Sequence, residues 1–289
     1  MRIERKAYAK INLGLDVTGK REDGYHIVSM IMQNVDLYDT LTFEKNDTGE
    51  IILNASSPKI PTDDSNLICK VAKQLREKYG VKDGVSVYLE KRIPVAAGMA
   101  GGSTDGAATY MALNELWNLG LDTKTMCGLA VKLGADIPYC IIGGTALAEG
   151  IGEELTTISD MPKCHLVIAK PDIDVSTGWV YKTLDSKEIE NHPDIAGVRT
   201  AIENDDLKGM CEKIGNVLEY VKASKYSVIN DIEKIMEDNG AVKAFMTGSG
   251  PTVFGVFDSE QKAKEAVEAV KTSGLAPELF LTKPINPNK

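Results

Sequence analysis

Long apolar runs are missing from this 289-residue chain. No stretch approaches the roughly 18 uncharged apolar residues that a membrane-crossing helix needs, so no membrane partner is expected. Basic residues are in short supply: 33 Lys and Arg face 42 Asp and Glu, a net charge of −9. Nucleic acid is therefore not expected as a partner, because duplex-binding modules carry the opposite balance. The three histidines, at 26, 165 and 192, have no paired cysteine and no His-Glu-x-x-His spacing, which leaves no zinc site to propose. Five cysteines (Cys69, Cys127, Cys140, Cys164, Cys211) are odd in number, widely spaced and without Cys-x-x-Cys. They read as reduced thiols of a cytoplasmic protein rather than as a disulfide framework. The N-terminus has charges but no continuous apolar segment before an alternating pattern begins, so no signal peptide is expected.

What is present is an ordinary globular composition, 43% hydrophobic, over a length that suits about two domains. Residues 1–18, 40–53 and 84–93 alternate apolar and polar side chains in the manner of half-buried strands. Ser65 to Tyr79 places Leu67, Ile68, Val71, Ala72 and Leu75 on one helical stripe, with Ser65 as N-cap and Gly80 as stop. A second helix is expected from about Ser103 to Leu119, with Ala107, Ala108, Met111, Ala112, Leu116 and Leu119 on one face. A third is expected from about Thr123 to Leu133, closed by Gly134. The exit from this first unit lies near residue 160, giving domains of 1–160 and 161–289. In the second, strands at 164–171, 241–247, 252–257 and 278–283 alternate with two or three helical stretches over 188–239 and a helix at 260–274. That pattern is α+β, with an antiparallel sheet and helices on one face, and the tail Asn286–Lys289 is expected to fray.

The segment richest in chemistry is Pro94 to Ala108, where a strand runs through three glycines and two hydroxyl residues into a helix. Such a loop leaves backbone N–H groups free and aims a helix N-terminus at one spot, as phosphate binding requires. Walker A is excluded, since Gly102 is followed by Ser103 and Thr104 with no lysine. Taken alone, the loop could equally be a connection whose Ser103 or Thr104 caps a helix. Gly101 is expected to need glycine's freedom for close backbone approach and a positive φ. Thr247-Gly248-Ser249-Gly250-Pro251 reads as a turn between strands. Lys10 and Asn12 lie on one face of a strand opposite Ile11 and Leu13, lining either a cleft or a solvated sheet. Asp136, an acid among apolar neighbours in Leu133–Tyr139, either caps a backbone group or is held for proton chemistry. Tyr25 and His26 follow the charged turn Lys20–Gly24.

In order along the chain, AKINLGLDV, REDGYH, NLI, KRIPVAAGMAGGSTDGAA, LGADIPY, GTALAEGIGE and TGSGPTVFGVF resemble the GHMP kinase superfamily from about residue 6 to residue 257. The resemblance implies a two-domain kinase, N-terminally like ribosomal protein S5 domain 2 and C-terminally ferredoxin-like, with ATP and substrate in the cleft between. It implies Mg2+ as well. The ATP phosphate loop then matches Pro94, Val95, Ala96, Ala97, Gly98, Met99, Ala100, Gly101, Gly102, Ser103 and Thr104. Asn66 and Leu67 match the adenine side, and Lys91 matches a lysine near the ribose. Lys10 and Asp136 match the catalytic pair. Asn12, Tyr25 and His26, with Thr177 and Tyr181, match the substrate side of the branch that phosphorylates a cytidine-diphosphate-bearing alcohol on the non-mevalonate route to isoprenoid precursors. Which side chains hold the metal does not follow from the sequence; Ser103 and Thr104 are candidates and Glu149 a weaker one. Where the family loop usually reads Gly-Leu-Gly-Gly-Gly-Ser-Ser, this chain has Gly98-Met99-Ala100-Gly101-Gly102-Ser103-Thr104, and Ala100 argues against a left-handed backbone there. A homoserine- or mevalonate-type kinase and a non-catalytic S5-like RNA-binding module are the alternatives. The tyrosine and histidine positions speak against the first and the acidic charge against the second. No oligomeric state is implied.

Overall fold

The alternating front of the chain forms two long strands, β1 (Arg2–Lys20) and β2 (His26–Asn46), in the computed structural model, which describes residues 1–187, 189, 191–222 and 226–288. Residues 26–39 were not expected as strand, and 40–53 is not one strand but the end of β2, a turn and β3 (Ile51–Ala55). In β1 only Ile3 and Ala7 are buried as far as Tyr8, but every residue from Ala9 to Val17 is buried. Both faces are covered there, so Lys10, Asn12 and Asp16 are buried polar groups and not a solvated face.

The chain divides into two compact units, and β1 and β2 contribute residues to each. One comprises Met1–Ala9, Leu37–Val95 and Ala100–Ile142. Here β4 (Gly84–Glu90) lies between β2 and β3, antiparallel to the first and parallel to the second. The sheet packs on α1 (Leu67–Tyr79) and α2 (Gly101–Leu116), with Leu41, Phe43, Val87 and Leu89 meeting Ile68, Val71, Leu75 and Tyr110 in one core. Asn66, not Ser65, caps α1: its Oδ1 accepts from Ile68 N at 2.9 Å, while Ser65 turns back to Asp63. Gly80 ends that helix at φ +66°, as expected. Helix α2 starts two residues before the expected Ser103 and is buried at every position from Thr104 to Tyr110, so it is more enclosed than a single apolar stripe implies. Two short helices follow, α3 (Thr123–Ala130), which stops before Leu133, and α4 (Ile137–Ile142).

The other unit comprises Lys10–Asp36, Ala96–Met99 and Gly143–Lys289. Its hairpin β5 (Thr145–Glu149) and β6 (Glu154–Thr157) pairs antiparallel with β2. After β7 (His165–Lys170) come α5 (Thr177–Leu184), α6 (Ile195–Glu203), α7 (Leu207–Lys213), β8 (Gly215–Asn216), α8 (Glu219–Lys222) and α9 (Ser227–Asp238). Helices α6 to α9 are more than the two or three expected, because short helices with a single buried turn show little periodicity. The chain closes with β9 (Lys243–Met246), β10 (Val253–Phe257), α10 (Glu260–Ser273) and β11 (Glu278–Thr282), and the antiparallel sheet runs β11-β7-β10-β9. Every residue of β10 is buried, so the centre of this sheet is covered on both faces. The tail does not fray before Asn288. Gln33 donates to Ile285 O, Ile285 N to Asn34 O, and Asn286 to Asp160.

Candidate active site

Strand β4 leaves the sheet through Lys91 and Arg92 into the glycine loop, and Asp39 holds that exit. Its carboxylate accepts from Arg92 N at 2.6 Å and Ile93 N at 2.8 Å, and it pairs with Lys91 Nζ. Asp105, on the second turn of α2, stands 3.8 Å from the same ammonium. Burial pushes the Asp105 carboxyl well above the usual range, with Lys91 opposing and Asp39 reinforcing the shift. Lys91 is thus enclosed by two acids, with its Nζ 2.9 Å from where a Cβ on Gly101 would sit.

Along the loop φ is positive at alternate residues, +54° at Ala96, +71° at Gly98 and +57° at Ala100. Such alternation turns successive N–H groups the same way and makes an anion-binding concavity. The expectation for Ala100 is overturned: its backbone is left-handed in spite of the alanine. Gly101, in turn, has an ordinary helical φ, so its constraint is the neighbouring Lys91 and not backbone sign. No side chain caps α2, which leaves the N–H groups of its first turn open. The Ser103 hydroxyl makes no hydrogen bond to the described residues, whereas Thr104 Oγ1 donates to Tyr8 O at 2.9 Å and is buried. Asn66 and Leu67 begin α1 in the same unit, and Leu67 Cδ1 is 3.8 Å from a Cβ built on Gly102. Pro94, Ala97 and Met99 are buried, and Val95 is half-buried. Asp136 precedes α4. Its carbonyl accepts from Cys140 N, but its half-buried carboxylate takes no hydrogen bond from the described residues, so it caps nothing.

In the other unit Lys10 and Asn12 do share a face, and Lys10 Nζ donates to Asn12 Oδ1 at 2.7 Å and to Gly98 O at 3.1 Å. The turn Thr247–Pro251 closes on the same spot. Asn12 N donates to Thr247 Oγ1 at 2.9 Å, and a Cβ on Gly248 would lie 2.8 Å from Gly98 O and 3.3 Å from Lys10 Nζ. A Cβ on Gly98 would lie 2.9 Å from both Gly250 N and Thr247 O. Two glycine turns 150 residues apart therefore meet backbone against backbone, and this is where glycine is indispensable.

Residues 66–144 match the GHMP kinases N terminal domain and residues 198–275 the GHMP kinases C terminal domain. A 4-diphosphocytidyl-2-C-methyl-D-erythritol kinase of Caldicellulosiruptor bescii is 47% identical over 92% of this chain and 93% of its own. The enzyme of that name from Lachnospira eligens is 45% identical over 99% of both. The chain belongs to the GHMP kinases, among the 4-diphosphocytidyl-2-C-methyl-D-erythritol kinases. A crystal structure of a 4-(cytidine 5'-diphospho)-2C-methyl-D-erythritol kinase superposes with a TM-score of 0.82 at 30% identity, over 98% of this chain and 99% of that one.

Within this GHMP kinase, His26 and Tyr181 come together, their ring centroids 4.8 Å apart at 33°. His26 Nε2 lies 2.7 Å from Asp185 Oδ1, and Asp185 Oδ2 lies 2.6 Å from Lys20 Nζ. The hydrogen bonds from Lys20 and then His26 hold the Asp185 carboxyl below its ordinary value. Thr177 Oγ1 is 2.8 Å from Ser249 Oγ, which ties the start of α5 to the glycine turn. Tyr25 is exposed and makes no ring contact with this group among the described residues, and Glu149 is exposed at the end of β5. Asp185, Lys20, Asp39 and Asp105 escaped sequence reasoning. For Asp185 one signal existed, its place one helical turn after Tyr181.

Proposed function

We propose that the chain transfers the γ-phosphoryl group of ATP to the 2-hydroxyl of 4-diphosphocytidyl-2-C-methyl-D-erythritol, a step of the non-mevalonate route to isoprenoid precursors. Beyond the relatives, the observation that carries the substrate is the His26–Tyr181 ring pair held by Asp185. An aromatic face suits a nucleobase. With Nε2 donating to Asp185, Nδ1 is the ring nitrogen left to face a ligand, and as an acceptor it suits the amino group of cytosine and not the carbonyl of uracil. Lys10, Asn12 and Thr177 take the alcohol side in this reading, with Tyr25 a further ring for the base.

Phosphoryl transfer asks the protein mainly for position and charge. Asp136, with a carboxylate free of internal hydrogen bonds, takes the hydroxyl proton. Lys10 stabilises charge developing on the transferred group. The loop from Pro94 to Thr104, flanked by Asn66 and Leu67, holds the nucleotide through open N–H groups, and Lys91 acts from beneath the first turn of α2. Among the described residues no cluster of three or more His, Cys, Asp and Glu could hold a metal ion alone. That fits Mg2+ carried on ATP phosphates with one protein ligand, and the unbonded Ser103 hydroxyl suits this better than Thr104 or Glu149. Mg2+ bound there would screen the polyphosphate charge.

The boundary near residue 160 falls in the gap between the matched segments 66–144 and 198–275, whereas the compact units are discontinuous and part at Gly143. We place the enzyme in the cytoplasm, where its five free thiols stay reduced. The test is ATP consumption with candidate alcohols, with and without the cytidine diphosphate group. Turnover confined to the cytidyl substrate is expected, and equal turnover of free methylerythritol would overturn the assignment.

A further inference from the structure

Strand β9 is the edge of its sheet, so alternate backbone groups point away from β10, and among the described residues no strand meets them. Thr247 N reaches back to Thr252 O, which leaves the peptide groups of Met246 facing outward. Side chains answer them. Glu219 Oε1 accepts from Met246 N at 3.1 Å, and Asn216 Nδ2 donates to Met246 O at 3.1 Å. The same Nδ2 donates to Gly248 O at 2.9 Å, and Asn216 Oδ1 accepts from Leu218 N at 3.0 Å. Every donor and acceptor of this buried amide is therefore used. Asn216 is itself fixed to β1, with Leu15 as its register partner in a parallel pair and Val217 N donating to Leu15 O at 3.0 Å.

β1 carries Lys10 and Asn12, and Asn216 is the buried amide that links this strand to the turn at Gly248. Thr247 and Ser249 of that turn are held by Asn12 N and Thr177, and Asn216 is what holds the carbonyl of Gly248. Gly248 and Gly250 both have positive φ, and neither has a side chain to pack. Its position matters because Gly248 lies within about a methyl group's reach of Lys10 Nζ and Asn12 Oδ1.

We propose that Asn216, with Glu219 beside it, is a positioning residue: by completing the edge of β9 it sets the turn Thr247–Pro251 against the Lys10 ammonium. It acts through Lys10, and so rests on the reading of Lys10 as catalytic. An orienting amide of this kind affects the step in which Lys10 meets charge more than it affects ground-state binding.

The experiment is a double-mutant cycle on the full chain, with ATP and the cytidyl substrate, reading kcat, both KM values and the thermal midpoint. Asn216→Ala is expected to lower kcat about 10–100-fold, with both KM values within about threefold. In a Lys10→Ala background it should cost almost nothing more, because the group it positions is gone. A loss of equal factor in both backgrounds, or unchanged kcat in a folded Asn216→Ala, overturns the proposal. If Asn216→Ala does not fold, Asn216→Asp keeps the shape and the Leu218 contact but loses both donors. It should show the same kcat loss, and normal turnover by it overturns the proposal. Near-normal turnover by Lys10→Ala alone sinks the reading of Lys10 and this inference together, whereas an inactive Lys10→Ala with additive losses sinks only the inference.

Discussion

Asp185 holds the imidazole of His26 at 2.7 Å although 159 residues separate them, and it does so one helical turn beyond the ring that stacks on that imidazole. The acid fixes both the plane of His26 and the nitrogen left to face a ligand. Asp185→Ala should raise KM for the cytidyl substrate about 10-fold, the worth of one hydrogen bond to a charged group. It should also reduce discrimination against a uridine analogue and leave KM for ATP unchanged. Tyr181→Ala should raise the same KM about 5–150-fold, from the 1–3 kcal/mol of a base–aromatic stack. Competition kinetics with the two nucleotides would check both, and unaltered discrimination in Asp185→Ala would remove His26 from base reading.

The free carboxylate of Asp136 makes a clean substitution possible. Asp136→Asn preserves shape and breaks no internal hydrogen bond of that side chain, so the thermal midpoint should hold. Turnover should fall about 10²–10⁴-fold with ATP binding intact. Retained turnover would assign the proton to another group.

Gly98 and Ala100 both have positive φ, yet they should respond in opposite directions. Gly98→Ala would drive a methyl to 2.9 Å from backbone atoms of the 247–250 turn, which cannot yield, so activity and stability should both drop. Ala100→Gly relieves a left-handed alanine worth about 1–2 kcal/mol and should raise the thermal midpoint while KM for ATP stays within about twofold. Melting curves of the two variants decide it, and a stable, active Gly98→Ala would refute the packing argument.

Glu233 is pushed from its ordinary 4.5 to about 9, first by burial and then by Glu219, which shares a hydrogen bond with it; Glu237 adds to the shift and Lys243 opposes it. Between those two values the folded chain holds a proton that the unfolded chain releases, so stability falls as pH rises across that window. Glu233→Gln keeps a donor toward Glu219 without titrating. Its thermal midpoint should match the wild type near pH 5 and exceed it increasingly toward about pH 9. Parallel melting profiles would contradict the shared proton.

Local chemistry was legible where it is written in neighbouring residues. Gly80 as a stop, the alternation of Lys10 and Asn12, the loop from Pro94 and the strands of the C-terminal sheet all follow from side-chain size, period and backbone freedom within a few positions. The resemblance carried by seven short segments then named the family, and His26 with Tyr181, which the structure stacks. Other features depend on what the chain places opposite. Ala100 adopts a conformation its own chemistry disfavours because the loop around it is held at both ends, by Asp39 at the strand exit and by α2. Gly98 and Gly248 require glycine only because each faces the other's backbone, and Asn216 and Glu219 gain a purpose only where β9 is an edge. Periodicity records which side of an element is buried but not what buries it, so pairs distant in sequence emerge only when the strands have found their registers.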